Sequence, residues 1–297
     1  MTTILVRLIF LAPLLILTST PAHAAAITFS SSGANPASIQ ATVDAFRAAL
    51  GNPDNLNNPG PLGSGRREIN WDGGGATAGT AAVTPFTVFQ NTRGATFTTP
   101  GIGLTQTPIT TPATGVVDII PGGAVQGSLA DINATYATTF VTFSPLRLFT
   151  PIGSNITDGT FSLPGTGGTV PATVNAFAAV FTDVDLANTT SIQYFDQNNA
   201  SLGTFFAPTA NNGLSFLGVQ FNAGELVSRV RITTGNNMLG PNEAAATPGG
   251  NGGVDVVVMD DFLYSEPKAV VPEPATVLLL GTGFVGLALL RGRKRGY

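Results

Sequence analysis

Leu226-Val227-Ser228-Arg229-Val230-Arg231-Ile232 alternates in character, with Val230 and Ile232 on one side of an extended chain and Arg229 and Arg231 on the other. A period of two with one apolar and one charged face marks a half-buried antiparallel strand. Similar runs of β-branched and aromatic residues surround it: Tyr136–Phe143, Thr160–Leu163, Thr173–Thr182, Ser191–Phe195, Leu202–Phe206, Leu214–Phe221 and Asp255–Tyr264. Gly165-Thr166-Gly167-Gly168, Gln197-Asn198-Asn199 and Asn211-Asn212-Gly213 supply turns between them. Regular short strands with few helices predict an all-β fold, a two-sheet antiparallel sandwich of jelly-roll-like type.

Toward the N-terminus the pattern changes once. Asn35 is a capping residue, Pro36 fits the first helical position, and Gly51 follows the end. Ile39, Val43, Phe46 and Leu50 fall on one stripe between them, which predicts a short helix packed on the edge of a sheet. Asn52 to Gly65 reads as a Pro/Gly/Asn-rich loop. Phe86 to Gln90 and Ala95 to Thr98 read as short strands, and Gly235 to Gly253 as a long, flexible hairpin tip.

Both ends of the chain carry targeting patterns. In residues 1–24, Arg7 precedes an apolar core from Leu8 to Leu17, and Ala22-His23-Ala24 offers a small-x-small cleavage site at Ala22 and Ala24. At the other end Val271-Pro272-Glu273-Pro274 precedes an apolar run from Ala275 to Leu290, and Arg291, Arg293, Lys294 and Arg295 come after it. As a helix, 16 residues reach roughly 24 Å, short of a hydrocarbon core of about 30 Å. Such a segment is a weak anchor, and the basic cluster behind it stays cytoplasmic by the positive-inside rule. The proposed division is therefore 1–24 signal peptide, 25–266 body, and 267–297 linker and tail, with motif 271–274, membrane helix 275–290 and basic end 291–297.

The tail resembles the PEP-CTERM sorting signal of Gram-negative bacteria. The resemblance implies export, a transient stay in the inner membrane, and processing by an exosortase, a membrane-embedded transpeptidase-like enzyme. Cargo of that family is associated with exopolysaccharide and biofilm, which implies a cell-surface or matrix destination. The body resembles secreted bacterial proteins with the same tail through Arg66-Arg67-Glu68-Ile69-Asn70-Trp71-Asp72-Gly73, Phe181-Thr182-Asp183-Val184-Asp185-Leu186 and Val258-Met259-Asp260-Asp261-Phe262. That likeness implies a shared fold and brings no activity.

Composition narrows the chemistry. A body of roughly 240 residues suits one large β domain or two small ones. Without Arg7, the four tail cations and Glu273, the body and its linker keep 8 basic and 16 acidic residues, a net charge of −8. An acidic exported surface argues against nucleic acid as a partner. There is no cysteine, and the one histidine, His23, leaves with the signal peptide. Ser-His-Asp and Cys-His catalysis and histidine- or cysteine-bound zinc are therefore excluded. A carboxylate pair of glycosidase type, such as Glu68 with Asp72, is the remaining enzymatic option. The expectation is a protein that is not an enzyme.

Calcium is the one cofactor the residues suggest. Asp183 and Asp185 stand one residue apart at a strand end with Asn188 after them, and Asp260 and Asp261 lie in the last strand. Hard cations take oxygen ligands of these kinds. The same aspartates serve equally well as turn caps. Asn155 and Asp158 form a second, weaker group. For sugar binding, Trp71, the only tryptophan, and Asp72 lie in a glycine-rich polar stretch, although Trp71 suits a packing role too. The leading expectation is an exported structural or adhesive protein working with exopolysaccharide. A lectin-like glycan-binding module is the alternative, and a glycoside hydrolase comes third.

Overall fold

The computed structural model describes residues 26–73, 82–108, 129, 132–145, 147–243 and 253–270. The targeting patterns at 1–24 and 271–297, with Ala22, Ala24, Val271, Pro272, Glu273, Pro274, Arg291, Arg293, Lys294 and Arg295, lie outside the described residues. In chain order the strands are β1 (Ile27–Gly33), β2 (Arg66–Ile69), β3 (Ala95–Thr98), β4 (Gly103–Pro108), β5 (Arg147–Ile152), β6 (Ile156–Phe161) and β7 (Ala172–Thr173). They continue with β8 (Ala176–Val184), β9 (Ser191–Phe195), β10 (Ser201–Phe206), β11 (Ala210–Gln220), β12 (Arg229–Thr233), β13 (Val258–Ser265) and β14 (Lys268–Ala269). The helices are α1 (Pro36–Leu50), α2 (Gln90–Arg93) and α3 (Tyr136–Thr139).

Two antiparallel sheets face each other. One runs β1-β11-β8-β13-β5-β4 with β2 added on β13, the other β10-β9-β12-β6-β3. Within them, eight strands fill the orders β5-β13-β8-β11 and β6-β12-β9-β10. Apart from the β9–β10 hairpin, consecutive strands of this set lie in opposite sheets, a jelly-roll-like connectivity. Phe177, Ala179, Phe181, Leu217, Val219, Phe149 and Phe262 of the first sheet pack on Phe97, Phe161, Ile192, Tyr194, Val230 and Ile232 of the second. Val230 and Ile232 point inward and Arg231 outward, as the alternation predicts.

The run Ala176–Val184 is buried at every position because both faces of β8 are covered. Phe177, Ala179 and Phe181 meet the opposite sheet, while Ala176, Ala178 and Val180 meet α1 through Ile39, Val43 and Phe46. A continuous apolar run is what a strand covered on both faces requires. α1 has its expected bounds, and Asn35 Oδ1 accepts from Ser38 N–H (3.3 Å). It packs at the β1 edge of the sheet, as expected, and reaches inward over its outer face: the stripe also covers β11 and β8, and Phe46 meets Phe29 and Phe216 edge to face.

Several expected strands differ. Tyr136–Phe143 begins as helix α3, because Tyr136 and Phe140, four apart, both reach a cluster with Leu129 and Leu148. Asn133 Oδ1 also accepts from Thr135 N–H (3.0 Å), which starts that turn. Phe86 makes only a bridge to Phe97, and Gln90 opens α2. The fold also runs past Glu266, since β14 pairs with β7.

Candidate metal centre

The jelly-roll-like order brings three connections to one end of the sandwich. β8 ends at Val184 beside Ala210 at the start of β11, and β13 starts at Val258 opposite Thr182. The pairing of β11 with β8 slips between Ala210 and Leu214, so residues 211–213 bulge opposite Asp183. Asp183 (φ 68°) and Asn212 (φ 47°) both adopt left-handed backbone there, a conformation that Asp and Asn tolerate better than most residues. Asn212 N–H donates to Asp183 Oδ1 at 2.7 Å and fastens the bulge.

Asp183, Asp185 and Glu243 converge at this end, each offering a carboxylate oxygen within 4.8 Å of the other two. Glu243 comes from the β12–β13 connection, and its Oε1 accepts from Val256 N–H (2.8 Å). Asp255 closes the back of the site. Its Oδ1 accepts from Asp185 N–H (3.1 Å), and its Oδ2 from Leu186 N–H (3.4 Å) and the Thr189 hydroxyl. In contrast, Asp183 Oδ2, Asp185 Oδ1 and Glu243 Oε2 are buried with no hydrogen-bond partner among the described residues. Burial first, then like charge from Asp185 and Asp255, pushes Asp183 up to about 7 despite the Asn212 hydrogen bond. Burial and the same neighbours push Glu243 up to about 8, and Asp185 and Asp255 are raised as well, burial being the main cause.

The other residues singled out from the sequence fall elsewhere. Asn188 takes a positive φ of 65° in the β8–β9 turn and is not part of the carboxylate group. Asp260 and Asp261 form a separate pair. β13 carries one extra residue between Met259, opposite Phe181, and Phe262, opposite Ala179. Such a bulge sets both aspartates against a single partner residue. Asp260 Oδ2 accepts from Phe143 N–H (2.6 Å) and Asp261 Oδ1 from the Ser144 hydroxyl (2.6 Å). Burial and mutual repulsion hold Asp260 well above the usual carboxylate range, and burial lifts Asp261 to about 6. Asn155 donates from Nδ2 to Gly235 O (3.0 Å), whereas Asp158 pairs with Arg229 and Arg231 across the outer face of the second sheet. These two residues therefore do not act together.

Trp71 is not a surface platform. It is fully buried, stacked on Phe149 with centroids 3.7 Å apart, and meets Phe262, Phe89 and Phe86 edge to face. Its Nε1–H donates to Asp260 O (2.8 Å). Between glycines and polar residues the local sequence hides this role; aromatic partners up to 191 positions away create it. Asp72 is half-buried and accepts from Arg147 N–H (3.1 Å). Glu68 is gripped by Arg47 (2.8 Å) and Arg66 (2.6 Å). Burial opposes its ionisation, but the two arginines outweigh it and hold Glu68 below the ordinary carboxylate range. The proposed Glu68–Asp72 pair thus has one member neutralised by arginines.

Glu243 was not among the residues the sequence singled out. The available signal was that it is the only charged residue between Gly235 and Gly253. Sequence reading also did not foresee the role of Arg67 and Glu266, which form a fully buried ion pair with Nε–Oε2 at 2.6 Å and Nη2–Oε1 at 2.8 Å.

Residues 270–294 match the family model of the PEP-CTERM protein-sorting motif. No curated protein and no solved structure matches the chain, so the resemblance proposed for the body gains no support from relatives. The matched residues are the tail alone, and they account for delivery: the chain carries the PEP-CTERM sorting motif of exosortase substrates, exported, membrane-transiting proteins of Gram-negative bacteria.

Proposed function

We propose that the body is a non-enzymatic structural or adhesive domain, carried by its sorting tail to the cell surface or extracellular matrix, where it works with exopolysaccharide. The observation that carries this reading is how the body uses its aromatic and acidic side chains. Trp71, Tyr136, Tyr194 and Tyr264 are all buried, with the Tyr194 hydroxyl donating to Phe177 O (2.9 Å) and that of Tyr264 to Arg93 O (3.0 Å). Glu68 is occupied by Arg47 and Arg66. These aromatic rings, which a lectin would stack on sugar, and Glu68, which a hydrolase would use as acid or base, here hold the sandwich together.

The matching experiment has two arms in the native host. Replacing Pro272, Glu273 and Pro274 with alanine should leave the protein unprocessed and cell-bound, as measured by the mass of the C-terminal fragment. Deleting the gene should change surface adhesion or matrix retention, while the purified protein releases no sugar from host polysaccharide. Polysaccharide turnover that disappears in Glu68→Gln or Asp72→Asn would replace this reading with the hydrolase.

A further inference from the structure

We propose that Asp183, Asp185 and Glu243 bind a calcium ion that ties the β12–β13 connection to the end of β8. The three carboxylates supply oxygens within 4.8 Å of one another. Two ligands of one calcium at about 2.3–2.6 Å each can stand up to about 5 Å apart. A single ion therefore reaches all three.

Acidic residues cluster on many surfaces without binding anything, and what distinguishes this cluster is its burial. Asp183 is 1 % exposed, and its Oδ2 has no donor among the described residues. Asp185 Oδ1 and Glu243 Oε2 share that condition. In both Asp183 and Glu243 one oxygen is fixed by a backbone N–H, from Asn212 and Val256, which leaves the second as the free ligand atom. Among the described residues no lysine or arginine pairs with any of the three. Buried carboxylate oxygens need a donor or a cation, and among the described residues no side chain provides one. Asp255 stands outside the group of mutually close carboxylates, and its oxygens accept from Asp185, Leu186 and Thr189. It shapes the turn that carries Asp185.

The donor set selects the ion. Three carboxylates with neither nitrogen nor sulfur favour a hard cation, and half-buried Asp185 and Glu243 leave a side on which water completes a high coordination number. Calcium accepts such irregular, partly hydrated sites more readily than magnesium. Extracellular calcium modules have dissociation constants on the order of 10⁻⁴–10⁻³ M, so this site would fill only after export. The ion would thereby complete the fold outside the cell.

The test uses the exported protein purified after processing, stripped with chelator and titrated calorimetrically with CaCl₂ and, separately, MgCl₂. The expected result is one calcium per chain, weaker magnesium, and a melting temperature higher by about 3–6 °C at tenfold excess over the dissociation constant. Asp183→Asn and Glu243→Gln should each weaken calcium at least tenfold, whereas Asp260→Asn should bind as wild type. Glu243→Gln lies on a connection and reports even if Asp183→Asn fails to fold. No binding heat and no melting shift at 10 mM CaCl₂, or equal affinity in Glu243→Gln and wild type, would overturn the proposal.

Discussion

The ion pair at Arg67–Glu266 and the carboxylates at Asp183, Asp185 and Glu243 treat buried charge in opposite ways. Arg67 and Glu266 are both sealed from solvent, and their groups are provided for within the chain. Arg67 Nη1 reaches the carbonyls of Leu56 and Asn58 at 2.8 Å, and Asn55 Nδ2 donates to Glu266 Oε2 at 2.8 Å. At the other end of the sandwich each of three carboxylates keeps an oxygen with no donor among the described residues. The first network is complete when the chain folds. The second lacks a donor among the described residues, and that difference marks it as the candidate binding site more sharply than the number of acidic residues does.

Breaking the complete network should cost most. Arg67→Met leaves Glu266 buried and unpaired, and should lower unfolding free energy by about 3–5 kcal/mol in denaturant titrations. Calcium should not alter that loss. Equal losses for Arg67→Met and a surface substitution would remove the distinction.

The incomplete network should respond with the opposite sign. In chelator at pH 8.5, Asp183→Asn removes a charge disfavoured by burial and then by Asp185 and Asp255, and should raise stability by about 1–2 kcal/mol. In calcium the same substitution should lower it. A variant that destabilises equally in both conditions would show that Asp183 acts only as a backbone cap for Asn212.

Acidity sharpens the contrast further. Asp183 and Glu243 have folded values raised to about 7 and about 8, above those of an unfolded chain. Groups raised in this way favour the folded state more as pH falls through those values, and the gain is complete below about pH 4. In chelator, melting temperature should therefore rise on acidification from pH 8 toward 5. Calcium should flatten most of that rise, leaving the part from Asp261 below about pH 6 and the contribution of Asp260, which has the same sign. Glu68 runs the other way. Its lowered value makes the Arg47 and Arg66 pairing a stabilising contribution that is lost only at more acidic pH. A calcium-independent pH profile would count against the cation.

The smallest effect belongs to the second sheet's outer face. Asp158→Ala removes pairs with Arg229 and Arg231, the latter 46 % exposed, and should cost no more than about 1 kcal/mol.

Local patterns made part of this molecule legible in the sequence. The capped stripe from Asn35 to Gly51 and the alternation in Arg229–Ile232 carry their own periodicity, and the structure agrees with both. The unbroken run in β8 also read as strand, although α1 on its second face was not apparent from it. β1, with the sequence Ile-Thr-Phe-Ser-Ser-Ser-Gly, has little apolar signal because it lies at the sheet edge beside β11. β2 is charged because Arg67 finds its partner 199 positions away. For the candidate site, Asp183 and Asp185 could be nominated by their spacing. Glu243 could not be joined to them, since the strand order alone brings a residue some 60 positions distant into range. Asp260 and Asp261 were grouped with them only as aspartates of the last strand; β13 does neighbour β8, but the bulge turns the pair toward Phe143 and Ser144.

The most direct measurement is a crystal structure of the exported protein grown with calcium and collected at a wavelength where calcium scatters anomalously. The account predicts one anomalous peak, about 2.3–2.6 Å from Asp183 Oδ2, Asp185 Oδ1 and Glu243 Oε2, with water filling the remaining positions. A protein donor on those three oxygens, or a peak at Asp260–Asp261 in their place, would contradict it.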